Sequence, residues 1–146
     1  MHHVVGHNFR LTNLVAAVGC AQLEDIEDGI QKRQTLYKLY QEKLSTASGF
    51  QIQHIHDEVE PVIWALAIKI DPKFFPERDV IMAKMKEAQI ETRPGFYPFS
   101  EIKLYDAPEL KHSLEVGKNI ICLPFFPGLN DSDVDRICQT FLSLKK

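Results

Sequence analysis

The apolar positions along this chain change period several times, and each change marks an element. After a polar opening, Leu14, Val15, Val18 and Ala21 recur at helical spacing, with Thr12 or Asn13 placed to cap the start. The period continues through Leu23, Ile26, Ile30, Tyr37, Tyr40 and Leu44, with Arg33 filling the one polar slot. Read as one helix, residues 13 to 46 extend about 50 Å, longer than a small domain is wide. A helix of that length lies against something else. Gly19 and Gly29 each cost a helix interior roughly 1 kcal/mol relative to alanine, which suits close packing at the first and a bend at the second. A simple kinked core helix accommodates both glycines equally well.

Beyond the Ser48-Gly49 stop the period shortens. Phe50 to Ile55 alternates weakly as a strand, 57 to 61 is polar loop, and "VIWALAIKI" (62 to 70) reads as a buried strand. Pro76 to Ala88 returns to helix, with Val80, Ile81, Met85 and Ala88 facing inward. A short extended piece, Ile90 to Arg93, ends at Pro94-Gly95. A polar helix over Pro108 to Gly117 and a strand at "IICLP" (120 to 124) follow. The last helix begins after "GLNDSD", capped by Asn130 or Ser132, with Asp131, Asp133 and Asp135 near the positive end of its dipole and Val134, Ile137, Cys138 and Phe141 as its buried stripe. This order predicts an α+β fold: a small, mostly antiparallel sheet covered on one face by helices and preceded by one long helix. Residues 1–48 form the N-terminal loop and long helix, and 49–146 the small α+β domain. No strand is followed by a glycine-rich phosphate turn, which disfavours a doubly wound nucleotide fold.

Composition narrows the function classes. At 45% hydrophobic and 25% charged over 146 residues, the chain can bury one core, and no tract reads as disordered. A net charge of -3 supplies no field to hold a phosphate backbone, so nucleic acid is not expected as a partner. No apolar run reaches the length of a membrane span, and the N-terminus lacks the basic-then-apolar order of a signal peptide; the expected compartment is cytoplasmic. Cys20, Cys122 and Cys138 sit in apolar patterns without a C-x-x-C pair, so buried reduced thiols are expected.

Catalytic constellations are thin. His2, His3 and His7 lie in the N-terminal loop and His112 on a polar helix. His54 and His56 alternate on one weak strand, as a solvated edge or as two metal ligands; the edge is the simpler reading, and no metal site is expected. The aspartates at 131, 133 and 135 lack the glycine and closing glutamate of a calcium loop and read as a helix start. "RPGFYPF" (93 to 99) is more informative. Pro94 and Pro98 stiffen a turn that carries a cation, two rings and a phenol, suited either to packing or to lining an anionic-ligand pocket.

Three separated segments, "HHVVGHNFRLTNLVAAVGCAQLEDI" (2 to 26), "IETRPGFYPF" (90 to 99) and "CLPFFPGLNDSDVDRI" (122 to 137), together resemble the C-terminal part of the pyridoxal-phosphate-dependent nucleotide-sugar aminotransferases of the DegT/DnrJ/StrS type, in particular their perosamine-synthase-like members. The resemblance implies the small C-terminal domain of a fold-type-I enzyme that moves an amino group, usually from glutamate, to a nucleotide-linked keto-sugar. In that family the asparagine of G-x-N-x-R crosses the dimer interface and binds the cofactor phosphate held by the other subunit. Asn8 occupies that position, with Arg10 positioning the loop or meeting substrate phosphate. An amide suits the task because it donates to phosphate oxygen without adding a full charge. The plain alternative is that both residues serve only the turn and helix cap. Arg93 and Tyr97 match the proline turn near the mouth of the family's active site and are expected to bind substrate.

The departures from the family matter equally. Its Schiff-base lysine lies in a large-domain loop upstream of the position of Gly6, where this sequence has only Met1 to Val5, and the aspartate that pairs the pyridine nitrogen is missing with it. Lys32, Lys69 and Lys84 sit in unrelated helical or strand patterns. The chain alone is therefore expected to be catalytically incompetent and not to bind pyridoxal 5'-phosphate covalently, as a truncated gene product, a split-enzyme subunit or a fragment. It is expected to homodimerise or to associate with the missing large domain. Ser100 stands where many relatives carry histidine, and Gln89 where a glycine commonly closes the helix. Two other readings are a non-catalytic dimerisation or regulatory module that pairs with a full-length relative, and a free-standing small-molecule binder using the 93 to 97 turn.

Overall fold

The computed structural model describes residues 6–102, 104 and 106–146; His2 and His3 fall outside them. Helices α1 (Asn13–Glu24) and α2 (Ile26–Leu44) precede a sheet of β1 (Phe50–Ile52), β2 (Leu66–Ile70), β3 (Arg93–Pro94) and β4 (Ile120–Leu123). Between and after these strands lie α3 (Arg78–Glu87), a 3-10 turn (Phe99–Glu101), α4 (Lys111–Asn119) and α5 (Asp131–Leu142). The strand order is β1-β2-β4-β3 and every pairing is antiparallel, with Phe50 opposite Ile70, Leu66 opposite Leu123 and Arg93 opposite Cys122. This is the expected α+β arrangement.

The expected single long helix is two. Asp25 ends α1, its N–H bonded to the Leu23 carbonyl, and its own carbonyl accepts the Gly29 N–H of α2 at 3.1 Å. The break thus falls at Asp25 rather than at Gly29; the Asp25 side chain makes no cap bond, and Glu27 and Asp28 suit the positive end of the new dipole. Thr12 caps α1, its Oγ1 accepting the Val15 N–H at 3.4 Å. No residue of α1 is buried, and an added Cβ at Gly19 would meet open space, so the expected packing at Gly19 is absent among the described residues. In α2 the buried positions are Leu36, Tyr40 and Leu44, while Leu23 and Ile26 of the expected stripe are exposed.

Leu66, Ile68 and Ile70 of β2 and Ile121 and Leu123 of β4 join α2, α3 and α5 in one core. Ala67 and Lys69 alternate to the other face, where Lys69 Nζ lies 3.0 Å from Glu115 of α4. Helices therefore lie on both faces, which corrects the one-sided expectation. Strand β2 starts at Leu66 rather than Val62 because its partner strand runs into Pro124, which has no N–H to continue the ladder; Val62 and Trp64 are exposed. Val80, expected inside, is exposed, whereas Ile81 and Met85 are fully buried. Tyr40 donates its hydroxyl to the Pro124 carbonyl at 2.7 Å, fastening α2 beneath the end of β4.

Helix α5 matches its expected stripe: Val134, Ile137, Cys138 and Phe141 are all buried. Asn130 is its cap, in a reciprocal box with Asp133. Helix α3 ends differently. Ile90 N–H bonds to the Met85 carbonyl and Gln89 N–H to the Lys86 carbonyl, both at 2.9 Å, which is the Schellman closure with Gln89 at φ 58°. Glycine is the residue this position favours. We expect Gln89→Gly to raise the unfolding free energy by about 1 kcal/mol, measured by urea denaturation; a loss of stability would show that the Gln89 side chain contributes more than its backbone conformation costs.

Candidate functional site

The segment 6–12 is exposed throughout and carries its own internal geometry. Asn8 Oδ1 accepts the Arg10 N–H at 2.9 Å, closing an Asx turn around Arg10, which sits at φ 70°. A non-glycine residue in the left-handed region is strained, and it stands directly at the end of the Asn8 turn. The consequence for chemistry is a division of labour within one amide. The oxygen is committed to the turn, and the NH2 group makes no hydrogen bond among the described residues. The Arg10 guanidinium likewise has no partner among them. Two nitrogen donors on a short, preformed turn suit a phosphate oxygen.

The turn 93–99 is fixed from below. Gly95 donates its N–H to the Ile120 carbonyl at 3.0 Å, and a Cβ added there would lie 2.7 Å from Ile120 Cγ2. At Gly117 an added Cβ would lie 2.7 Å from Pro98 Cδ, so the end of α4 presses directly on the turn. Tyr97 is half-buried with the Arg78 guanidinium 5.6 Å from its ring centre. Arg93 projects outward, 3.6 Å from the equally exposed Glu91. Phe96 is exposed beside Trp64, ring centres 6.3 Å apart. Packing and presentation are thus divided within the turn: Gly95 and Pro98 face the protein, Arg93 and Phe96 face solvent, and half-buried Tyr97 lies between, with the Arg78 guanidinium near its ring.

Other candidates resolve into structure. His54 and His56 follow β1 as a T-shaped ring pair 4.9 Å apart, in the wall of an open cleft of about 350 Å3 formed by residues 53 to 65. Among the described residues no group of three or more His, Cys, Asp or Glu is placed to hold a metal ion. Asp133 belongs to the α5 cap and Asp135 pairs with Lys43 at 2.8 Å. Of the thiols, Cys138 is buried and Cys122 half-buried, but Cys20 is exposed on α1, contrary to expectation. Burial pushes the Cys138 thiol up to about 11 and raises that of Cys122, with Arg93 pulling the latter the other way, so neither is a ready nucleophile at neutral pH. No helix of the described residues is long and apolar enough to cross a membrane.

Sequence reading missed Arg78. It is buried, with Nη1 donating to the Gly117 carbonyl at 2.6 Å and Nε to Asp79 Oδ1 at 2.8 Å. In the sequence it looks like one more charge at a helix start.

In their described residues, the three segments quoted above thus form a loop leading into a capped helix, a clamped turn, and a strand end leading into a capped helix, and residues 1–142 match the DegT/DnrJ/EryC1/StrS aminotransferase family over almost the whole chain. The chain belongs to that family. It is 32% identical over 141 residues to the GDP-perosamine synthase of Escherichia coli O157:H7, covering 95% of this chain and 38% of that protein. To the GDP-perosamine synthase of Vibrio cholerae it is 33% identical over 145 residues, covering 94% of this chain and 38% of the relative. Among solved structures, Helicobacter pylori PseC, an aminotransferase involved in the biosynthesis of pseudoaminic acid, superposes with a TM-score of 0.80 at 23% identity, over 97% of this chain and 39% of that one. Spr1654 from Streptococcus pneumoniae, in its PMP form, superposes with a TM-score of 0.82 at 21% identity, over 92% and 35%. The chain therefore spans somewhat more than a third of the length of its family relatives, and its fold is that of their small C-terminal portion.

Proposed function

We propose that this chain is the C-terminal part of a pyridoxal-phosphate-dependent aminotransferase of the perosamine-synthase kind, which transfers an amino group from glutamate to a nucleotide-linked keto-sugar. The observation that carries the reading is the Asn8 turn: its oxygen is consumed internally at 2.9 Å, while its NH2 and the Arg10 guanidinium have no partner among the described residues. That donor set fits a phosphate monoester. Asn8 and Arg10 hold the cofactor phosphate of a neighbouring subunit, and the chain's own contribution is binding and orientation. Pyridoxal phosphate, when bound, supplies the electron sink for amino transfer. Arg93, exposed on a turn packed closely against Ile120 and Gly117, reaches the anionic part of the substrate, and the Tyr97 phenol orients the sugar. The lysine that carries the cofactor belongs to the large domain, so the 146 residues alone are inactive. Leu14, Val15, Val18 and Leu23, exposed on α1, support a dimer partner or large domain lying over them. The same surface favours, as a second reading, an association module without catalysis.

A chimera separates these readings. Residues 1–146 replace the matching portion of the Vibrio cholerae GDP-perosamine synthase, and glutamate-dependent amino transfer to the nucleotide-linked keto-sugar is assayed. We expect transfer by the chimera and none by the 146-residue chain mixed with pyridoxal phosphate. A folded chimera that binds cofactor yet leaves the sugar unchanged would leave the association module as the better account. A cofactor band formed on the isolated chain at one lysine and discharged by glutamate would overturn its assignment as an incomplete enzyme.

A further inference from the structure

The geometry points to Arg78 as a positioning residue for sugar binding: by joining the start of α3, the end of α4 and the ring of Tyr97, it holds the 93–99 turn in the orientation that presents Arg93 and Tyr97 to substrate. The inference rests on the proposed function for its substrate and on the contacts of Arg78 for its mechanics.

Arg78 occupies an unfavourable place. It is the first residue of α3, where the helix dipole disfavours a cation, and it is only 8% exposed although arginine is rarely buried without partners. Its contacts account for that position. The Gly117 carbonyl it meets at 2.6 Å is among the last of α4, which have no partner inside their own helix. Asp79 supplies the counter-charge at 2.8 Å, and the remaining face of the guanidinium lies over Tyr97. Gly117 in turn bears on Pro98, with Phe96 O also close to where its Cβ would stand. One planar fork thus fixes the helix end and the turn against each other. An ammonium, a compact point charge, does not reproduce this bridging, so lysine is not an equivalent replacement.

The Gly95 amide provides a reporter independent of catalysis. It lies in the turn, with its N–H bonded to the Ile120 carbonyl at 3.0 Å. In the 146-residue chain, Arg78→Lys and Arg78→Met are expected to speed hydrogen exchange at Gly95 while far-UV circular dichroism stays unchanged. In the active chimera both are expected to lower kcat/KM for the keto-sugar about ten- to a hundredfold, with the glutamate half-reaction and cofactor affinity preserved. Arg78→Lys keeps the charge and nearly the length, so it tests the fork even where Arg78→Met unfolds. Unchanged exchange at Gly95 overturns the inference, as does an equal loss in both half-reactions, which is what general destabilisation would cause. If the chimera with Arg78 intact never acts on the sugar, the proposed function fails separately, and exchange at Gly95 alone decides whether Arg78 holds the turn.

Discussion

Replacing Phe141 with alanine is expected to lower the unfolding free energy by about 3 to 5 kcal/mol, a large part of the stability of a small domain. Phe141 is fully buried on α5, stacked on Phe75 with ring centres 4.9 Å apart and met edge-on by Phe50 at 5.6 Å. Phe50 also meets Phe75 edge-on at 6.3 Å. The three rings come from β1, from the segment before α3 and from α5, so removing one leaves a void that the other two hold open. Geometry of this kind makes collapse difficult, which is why the upper part of the range applies. Urea denaturation should show a lower midpoint with an unchanged slope. Phe96→Ala is the matched control: that ring is 85% exposed, and its loss should stay within about 0.5 kcal/mol. A Phe141→Ala penalty as small as the control's would mean that the core repacks freely around α5.

The contrast between α5 and α1 shows what the sequence made readable. In α5 the cap, the acidic first turn and the apolar stripe all indicate one helix with one buried face, and each occurs as expected. In α1 the apolar residues run around much of the helix rather than along one stripe, and Leu14, Val15, Val18 and Leu23 are exposed, because apolar spacing marks a helix without recording what packs on it. The same limitation hid the division at Asp25, since the apolar period runs on through Leu23, Ile26 and Ile30 while the backbone does not. At the turn, Pro94 and Pro98 announced rigidity, and Arg93 and Phe96 are indeed held outward. What fixes the turn was not legible, because Gly117 and Arg78 act through contacts between positions 19 to 39 residues apart, and neither residue type signals such a contact. Arg33 is a smaller example: from the polar slot in the α2 stripe its Nη1 lies 3.5 Å from the Trp64 carbonyl, a contact 31 residues away that the pattern does not signal.

Mixed dimers should reveal which subunit Asn8 serves. In a full-length relative carrying this loop, one arrangement joins a subunit that lacks the Schiff-base lysine to a partner carrying Asn8→Ala. If the loop acts across the interface, the lysine-deficient subunit lends its intact Asn8 to the partner, whose lysine site is then complete. The reversed arrangement places both defects on one chain beside a wild-type mate, so the surviving lysine faces a damaged loop. A hydrogen bond to a charged phosphate contributes about 1.5 to 3 kcal/mol, so cofactor affinity at the surviving site should differ roughly ten- to a hundredfold between the two arrangements. The internal bond from Arg10 N–H to Asn8 Oδ1 sharpens the design. Asn8→Asp keeps that acceptor and the turn while replacing the donating NH2 with a like charge facing phosphate, so it should weaken cofactor binding at least as much as alanine does. Asn8→Ala removes turn and donor together. Equal affinity in the two arrangements, or an Asn8→Asp variant that binds cofactor normally, would show that the amide serves only the backbone turn before α1.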